Sequence, residues 1–507
     1  MHVQIAVVGA GFAGLGAAIR LRQRGYQDFV IFERATDLGG TWRDNTYPGC
    51  ACDIPSHVYS FSFALNPNWT STYSPQQEIW NYLQTCTERY KLRPHIRFGT
   101  EVHQAAWDST TGHWRIQTQE APGEWTADVL IVAGGPLNEP VVPKLAGLET
   151  FLGNTFHSSR WNHELDLTGR RVAVIGTGAS AVQFVPAIQP AVGRLTLFQR
   201  TAAWVLPRHE RPLKRWEQRL YRRVPGLQRA MRTIVYWGLE ATVLGFQRPA
   251  VMRLAQRVAR KNLRKAVRDP ELRAKLTPDY AMGCKRVLKS SEYYPALTRD
   301  NVDVVVEPIV EVRPHGIVTR DGTEHPADVI IFGTGFRVTD LPIAERVRGR
   351  DGRTLAEAWQ GSPQAYLGTT VTGFPNLFLL LGPNTGLGHN SVVLMIESQL
   401  NYVISALDRL RPLGRRVVEP HPEAQRRFVA AVDRRLATTV WSTGCRSWYI
   451  DATGRNSTLW PGSTWRYRLR TRRFDLKAYN VLDLKADEVP DHKRAGTPDP
   501  GLKAFPA

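Results

Sequence analysis

Cysteine is scarce in this sequence: five in 507 residues, at positions 50, 52, 86, 284 and 445, with no C-x-x-C pair among them. That spacing excludes a zinc ribbon or a disulfide-scaffolded secreted domain. We expect reduced thiols, no metal centre, no structural disulfide and a cytoplasmic setting. Long apolar runs are missing too. Without a stretch of about 18 apolar residues, no integral membrane segment is expected. The opening His2-Val3-Gln4 runs straight into apolar sequence without a basic leader or cleavage site, so a signal peptide is not expected either.

Acid is in deficit. Lys and Arg number 66 against 46 Asp and Glu, a formal net charge of +20. From Arg208 to Lys275 there are 19 basic and 5 acidic side chains, so most of the excess sits in one segment. Its pattern is helical, punctuated by Pro225, Pro249 and Pro270. A solvated helical face is the simplest reading, and electrostatic steering of an anionic dinucleotide is a sharper one. Peripheral membrane contact through Ile234-Val235-Tyr236-Trp237 is disfavoured, because those residues suit a helix facing the core.

What the sequence does contain is glycine in telling places. An apolar run from Val3 to Val8 is followed by Gly9-Ala10-Gly11-Phe12-Ala13-Gly14 and a helical stretch to Arg24, and a second run, Phe29 to Phe32, ends at Glu33. Strand, glycine turn, helix and terminal acid form the cradle of a dinucleotide. Gly9 allows the turn, Gly11 lets a pyrophosphate approach the backbone, Gly14 seats the helix on the strand, and Glu33 meets ribose hydroxyls. A second cradle begins at Arg171 to Ile175, turns at Gly176-Thr177-Gly178-Ala179-Ser180-Ala181, and ends at Arg200 after the run Leu195 to Gln199. Glu33 follows Gly9 by 24 residues and Arg200 follows Gly176 by the same 24. A carboxylate repels a 2′-phosphate whereas a guanidinium grips it, so the first cradle suits FAD and the second NADPH. A nucleic-acid-binding protein would leave both cradles unexplained.

The fold class expected is α/β, two Rossmann-like dinucleotide-binding domains with a helical insert. The stretch Val102 to Ile131 reads as a β-meander over the FAD. Asp128-Val129-Leu130-Ile131-Val132-Ala133-Gly134-Gly135 is echoed by Asp328-Val329-Ile330-Ile331-Phe332-Gly333-Thr334-Gly335, as in a duplicated unit. The boundaries expected are 1–140 with 336–507 for FAD, 151–205 with 281–335 for NADP, and 206–280 for the insert. Residues from about Ala486 onward read as a loose tail.

Phe151, Gly153, His157 and Trp161, spaced F-x-G-x-x-x-H-x-x-x-W, lead into the second cradle. This resembles the fingerprint of the type I Baeyer-Villiger monooxygenases, enzymes that use FAD, NADPH and O2 to insert oxygen beside a ketone carbonyl. Asn162 stands where the family usually has Pro or Asp. Gly40-Thr41-Trp42 followed by Tyr47-Pro48-Gly49 and Asp53 resembles a second family motif, and Lys285-Arg286 before Tyr293-Tyr294 a third. By that resemblance Lys285 contacts the 2′-phosphate, Arg286 sits over the flavin with Asp53 as its partner, and Trp448 belongs to a loop closing on NADP. Further positions expected at the flavin are Ile54, Tyr59 and Val102, and at NADP Thr177, Gly178, Ser180, Ala181, Gln183 and Thr201. The resemblance implies a C4a-peroxyflavin stabilised by Arg286 and the product an ester or lactone. The alternative is a flavin monooxygenase acting on nitrogen or sulfur. A disulfide reductase would need a redox pair, and Cys50-Ala51-Cys52 is too tight for one. His389, at a helix entry, is not assigned as a base.

Overall fold

The computed structural model describes residues 1–119, 123–411, 416–445 and 447–483, so the stretch read as a tail lies outside the described residues. Two parallel-rich sheets dominate. The first runs, in spatial order, Val347–Arg348, Val102–Asp108, His113–Thr118, Glu124–Val132, His2–Val8, Phe29–Phe32 and Ile96–Arg97, with Leu377–Leu379 also along Glu124–Val132. The second runs Val302–Val305, Arg194–Phe198, Arg171–Ile175, Val329–Phe332 and Asn154–His157. The strands Phe29–Phe32 and Val329–Phe332 are buried throughout. Such unbroken apolar runs belong to sheets covered on both faces.

The two sheets repeat one design. In each, a cradle strand lies between the strand that ends in the charged residue and the strand that ends in small residues: His2–Val8 between Phe29–Phe32 and Glu124–Val132, Arg171–Ile175 between Arg194–Phe198 and Val329–Phe332. A Cβ on Gly9 would lie 2.9 Å from the Ala133 carbonyl oxygen, and one on Gly176 2.4 Å from that of Gly333. Each first glycine also has positive φ, 101° and 111°. The echo seen between residues 128–135 and 328–335 is therefore a matching contact against each turn.

Between the strands of the second sheet lies a helical insertion, with helices Arg215–Arg223, Pro225–Ala241, Val243–Gln247, Pro249–Ala266 and Pro270–Lys275. Pro225, Pro249 and Pro270 each open a helix, where a missing N–H costs nothing. The short parallel pair Val205–Leu206 with Leu288–Lys289 closes the insertion at its base. None of the helices searched among the described residues is long and apolar enough to cross a membrane.

Two expectations are corrected. Cys284 and Cys445 form a disulfide, Cα–Cα 6.2 Å, across a sequence separation of 161. No local spacing could reveal a pair made by the fold, and the bond removes the ground on which a reducing setting was expected. Cys50, Cys52 and Cys86 are buried free thiols. The segment Ile234 to Trp237 divides: Val235 and Tyr236 pack partly against the core as expected, whereas Ile234 is 67% and Trp237 53% exposed, and the same helix buries Gln228, Arg232 and Glu240.

Candidate active site

A cleft opens at the C-terminal ends of the first sheet's strands, lined by Gly9, Gly11, Glu33, Gly40, Thr41, Trp42, Tyr59, Val102, Arg286 and Trp448, with the turn Leu379 to Pro383. That is where the parallel strand order places a ligand crevice. The helix Phe12–Gln23 enters it with Gly11 at its N-cap and no side-chain cap, so its first amides are free for an anion. The space is kept open by glycine. A Cβ on Gly14 would sit 1.8 Å from the Gly9 carbonyl oxygen, and one on Gly40 3.3 Å from the Gly11 Cα. Gly14→Ala is expected to push helix from strand and cost about 3 kcal/mol; an unchanged denaturant midpoint would contradict this. Glu33 is 5% exposed and takes the Ala10 amide at 2.8 Å and Arg43 Nη1 at 3.1 Å. Trp42 Nε1 donates to Tyr59 Oη at 3.0 Å, which fixes both rings against the cleft. Ile54 is buried nearby, its amide on Cys52 Sγ at 3.4 Å.

The second cradle has the same parts in a more open crevice. Gly176 and Thr177 are half-buried, Gly178 and Arg200 exposed. Thr177 Oγ1 donates to the Thr201 carbonyl at 2.9 Å, tying the glycine turn to the neighbouring strand end. Ala181 is fully buried, 3.3 Å from where a Cβ on Gly333 would lie. It is the seat that Gly14 provides in the first cradle. The equal offset of 24 conceals a difference, however. Val8 pairs with Phe32, but Ile175 pairs with Phe198, one residue earlier relative to its cradle. Gly9 thus has Glu33 beside it, whereas Gly176 has Gln199, and Arg200 reaches one residue further out. Gln199 is buried, its amide donating to the Lys275 carbonyl at 2.7 Å.

Lys285 joins Arg200 there. Its ammonium lies over the Tyr280 ring at 4.7 Å, and burial first and the Arg200 charge second lower it below the ordinary lysine value. Two cations that repel one another make a site for a multiply charged anion. Ser180 stands at the N-cap of Ala181–Ile188 without a side-chain cap, leaving that helix's amides for the same anion. Gln183, expected at NADP, has partners within the chain. Its amide oxygen accepts from Tyr47 Oη at 3.0 Å and its nitrogen donates to the Ala51 carbonyl at 2.9 Å, so it stitches the helix to the segment carrying Asp53.

Asp53 and Arg286, 233 residues apart, meet between the cradles. Arg286 Nε donates to Asp53 Oδ2 at 3.0 Å and Nη2 donates to the same oxygen. Burial raises the Asp53 carboxyl, but the guanidinium and its hydrogen bonds outweigh that and hold it below the usual aspartate value. The Asp53 charge in turn raises Arg286 against its own burial. The pair is therefore fixed as carboxylate and guanidinium. Two neighbours were not foreseen. Lys289 Nζ reaches the Asp53 carbonyl at 3.4 Å, and the Tyr449 hydroxyl, pushed up to about 12 by burial, feels the Arg286 charge. Both stood inside motifs singled out for other residues, and only the fold shows that they converge. The disulfide joins Cys284, next to Lys285-Arg286, to Cys445, three residues before Trp448. Trp448 itself is 41% exposed at the cleft mouth.

His157 carries the packing of the fingerprint. It is buried, its ring 5.5 Å from Phe336, and its Nδ1 accepts the Ser159 amide at 3.1 Å. Trp161 meets Phe156 edge to face at 5.2 Å and Phe184 at a tilt at 5.4 Å, and a Cβ on Gly153 would strike the Asp328 carbonyl oxygen at 2.2 Å. Burial lowers His157 from 6.5 to about 4, and burial with Arg211 and Arg232 does the same to His57. Both resist a proton that the unfolded chain accepts. Stability should therefore fall as pH drops from about 6.5 towards 4, by about 3 kcal/mol for each group. Urea midpoints across that range test this; His157→Gln should flatten the slope, and a slope unaltered by it would contradict the assignment.

Comparison with known proteins agrees with this geometry. The flavin-binding monooxygenase-like family model matches residues 2–243. A Baeyer-Villiger monooxygenase of Streptomyces coelicolor is 55% identical over 95% of this chain and 93% of its own, and one of Pseudomonas aeruginosa 50% identical over 95% and 92%. The crystal structure of cyclohexanone monooxygenase from Rhodococcus sp. Phi1 bound to NADP+ superposes with a TM-score of 0.86 at 29% identity, covering 96% of this chain and 100% of that one. Two cradles, a half-buried, carboxylate-paired cation between them and these relatives place the chain in the Baeyer-Villiger monooxygenases, within the flavin-binding monooxygenases.

Proposed function

We propose that Arg286, fixed by Asp53, is the cation beside which oxygen is transferred to a ketone, with FAD in the first cradle and NADPH in the second. The reaction is Baeyer-Villiger oxidation: one atom of O2 enters between the carbonyl carbon and its neighbour, giving an ester or lactone, while the other leaves as water and NADPH and a proton are consumed. Bound FAD supplies the redox chemistry, taking a hydride from NADPH and activating O2.

The residues of the chain bind and orient. The amides of the helix after Gly11 meet the FAD pyrophosphate, Glu33 takes ribose hydroxyls on its remaining lone pairs, and Gly40, Thr41 and Trp42 line the flavin's side of the cleft. Arg200 and Lys285 hold the NADPH 2′-phosphate, with Thr177, Gly178 and Ser180 at its pyrophosphate. Arg286 is always charged, because its carboxylate partner is held ionised. It faces the cleft, where it neutralises the charge that grows on the ketone oxygen as the carbonyl carbon is attacked. Trp448 at the mouth keeps water out. On this reading residues 1–140 with 336–507 serve FAD, 151–205 with 281–335 serve NADP, and 206–280 are the insert.

The Asp53–Arg286 pair inside the cleft carries the reading, because a fixed cation there favours a nucleophilic oxygen and hence a carbonyl acceptor. A panel of ketones, amines and sulfides with NADPH, with products identified by mass, tests it. Ester from ketones is expected; oxygenated amine or sulfide without any ester would replace this reading with nitrogen or sulfur oxygenation.

A further inference from the structure

The helix Pro225–Ala241 packs Val235, Tyr236 and Leu239 partly against the core and leaves a second apolar stripe outside. Its exposed face carries Leu227, Ile234 and Trp237, spaced at i, i+7 and i+10, and its buried face Gln228, Arg232 and Glu240. The polar face is pinned inward. Gln228 Nε2 donates to the Asn66 carbonyl at 2.6 Å, Arg232 Nη1 to the His57 carbonyl at 2.7 Å, and Glu240 accepts from the Thr464 amide at 2.6 Å and from Asn390 Nδ2 at 3.0 Å. Rolling the apolar face into the core would strand all three polar groups. The outward apolar stripe is thus fixed by the fold.

A second helix begins beside it. Tyr236 Oη lies 3.0 Å from Thr464 Oγ1, the first residue of Thr464–Arg470, and the Arg468 charge is felt at both Arg232 and Tyr236. That helix exposes Trp465 at 37% and Leu469 at 59%, one turn apart. Between and beyond them Arg466, Arg468, Arg470, Arg472 and Arg473 are all exposed. Among the described residues, none of the five is in an ion pair with an acidic side chain. Arg466 instead lies over the Trp465 ring at 5.1 Å.

We propose that these two helices form a peripheral docking surface for an anionic lipid bilayer. Ile234, Trp237, Trp465 and Leu469 enter the interfacial layer, where indole rings and aliphatic side chains are both accommodated, and the arginines meet lipid phosphates. Charge decides the occupant. A second copy of this chain would bring five unneutralised arginines against five others, whereas an anionic membrane complements them and accepts the apolar stripe. The surface lies on helices separate from both cradles and does not depend on the reaction assigned to them.

The test is co-sedimentation of the full-length, flavin-loaded protein with vesicles of phosphatidylcholine, plain or with about 30 mol % phosphatidylglycerol. Binding to the anionic vesicles alone is expected, weakening with salt, with tryptophan emission shifting to the blue. Ile234→Ser with Trp237→Ser, and separately Arg468→Gln with Arg470→Gln, should each reduce binding by about tenfold or more, while melting temperature and flavin content stay unchanged. Failure to sediment with anionic vesicles, variants that bind as well as the parent, or a dimer that these substitutions dissociate in place of vesicle binding would each overturn the proposal.

Discussion

Replacing Arg286 with alanine is expected to lower ester formation by about 10²- to 10³-fold, the size of effect seen when one fixed donor is removed from a developing oxyanion. Reduction of the bound flavin by NADPH should change little, because the second cradle is built from Arg200, Lys285 and the glycine turn. Oxygen would still be consumed, and hydrogen peroxide should accumulate in place of product. The substitution also strips Asp53 of its main partner, and an uncompensated carboxylate in so enclosed a site costs stability. The double variant Asp53→Asn with Arg286→Met separates the two effects. It should melt near the parent temperature and still make no ester. Asp53→Asn alone leaves the guanidinium charged but free to swing, so a loss of about tenfold is expected, from misplacement rather than from lost charge. If Arg286→Ala reduced flavin tenfold more slowly but kept its ester per turnover, the cation would belong to NADPH binding instead.

The second large effect concerns the choice of nicotinamide. Arg200→Ala and Lys285→Ala should each raise the KM for NADPH by about 10- to 100-fold, as expected for losing one charge-assisted contact to a phosphate, and leave NADH almost untouched. The two cations oppose one another when no phosphate lies between them. Removing one therefore relieves the other, and the double variant should lose less than the product of the single losses. KM for both cofactors across the four proteins checks this. An unaltered preference for NADPH in both single variants would contradict the assignment.

Much of this was legible in the sequence because the signals are local. A strand, a glycine turn and a helix lie within about 25 residues, and both cradles can be read from the apolar runs and the glycines between them. The prolines that open the insert's helices act on their own backbone, so they too could be read directly. What was hidden depends on approach from afar. Cys284 and Cys445 are unremarkable cysteines until the fold sets them together. Tyr449 comes to the Asp53–Arg286 pair from a distant stretch, and Lys289, three residues after Arg286, reaches a carbonyl 236 residues before it. Gln183 was expected at NADP, and nothing in its local spacing foretold that its amide also satisfies Tyr47 and Ala51. The equal offset to Glu33 and Arg200 was sound arithmetic. Strand register, which no spacing fixes, put Arg200 one residue further out.

The helix Pro225–Ala241 shows a different limit. Periodicity identifies an apolar stripe but not the side it faces, and an apolar stripe is ordinarily buried. Here buried partners for Gln228, Arg232 and Glu240, all distant in sequence, decide the orientation. Of the four residues expected to face the core, Val235 and Tyr236 pack against it while Ile234 and Trp237 stand outside.

The proposed function rests on one arrangement: two dinucleotides held by one chain, with the fixed Arg286 guanidinium where their chemistry meets a ketone. The most direct test is a single turnover in which the flavin is first reduced by NADPH without oxygen and is then given ketone together with 18O2. One heavy atom in the ester from the parent enzyme, and no labelled ester from Arg286→Ala reduced at the same rate, is the result expected. Labelled ester from the Arg286→Ala enzyme at the parent yield would contradict it.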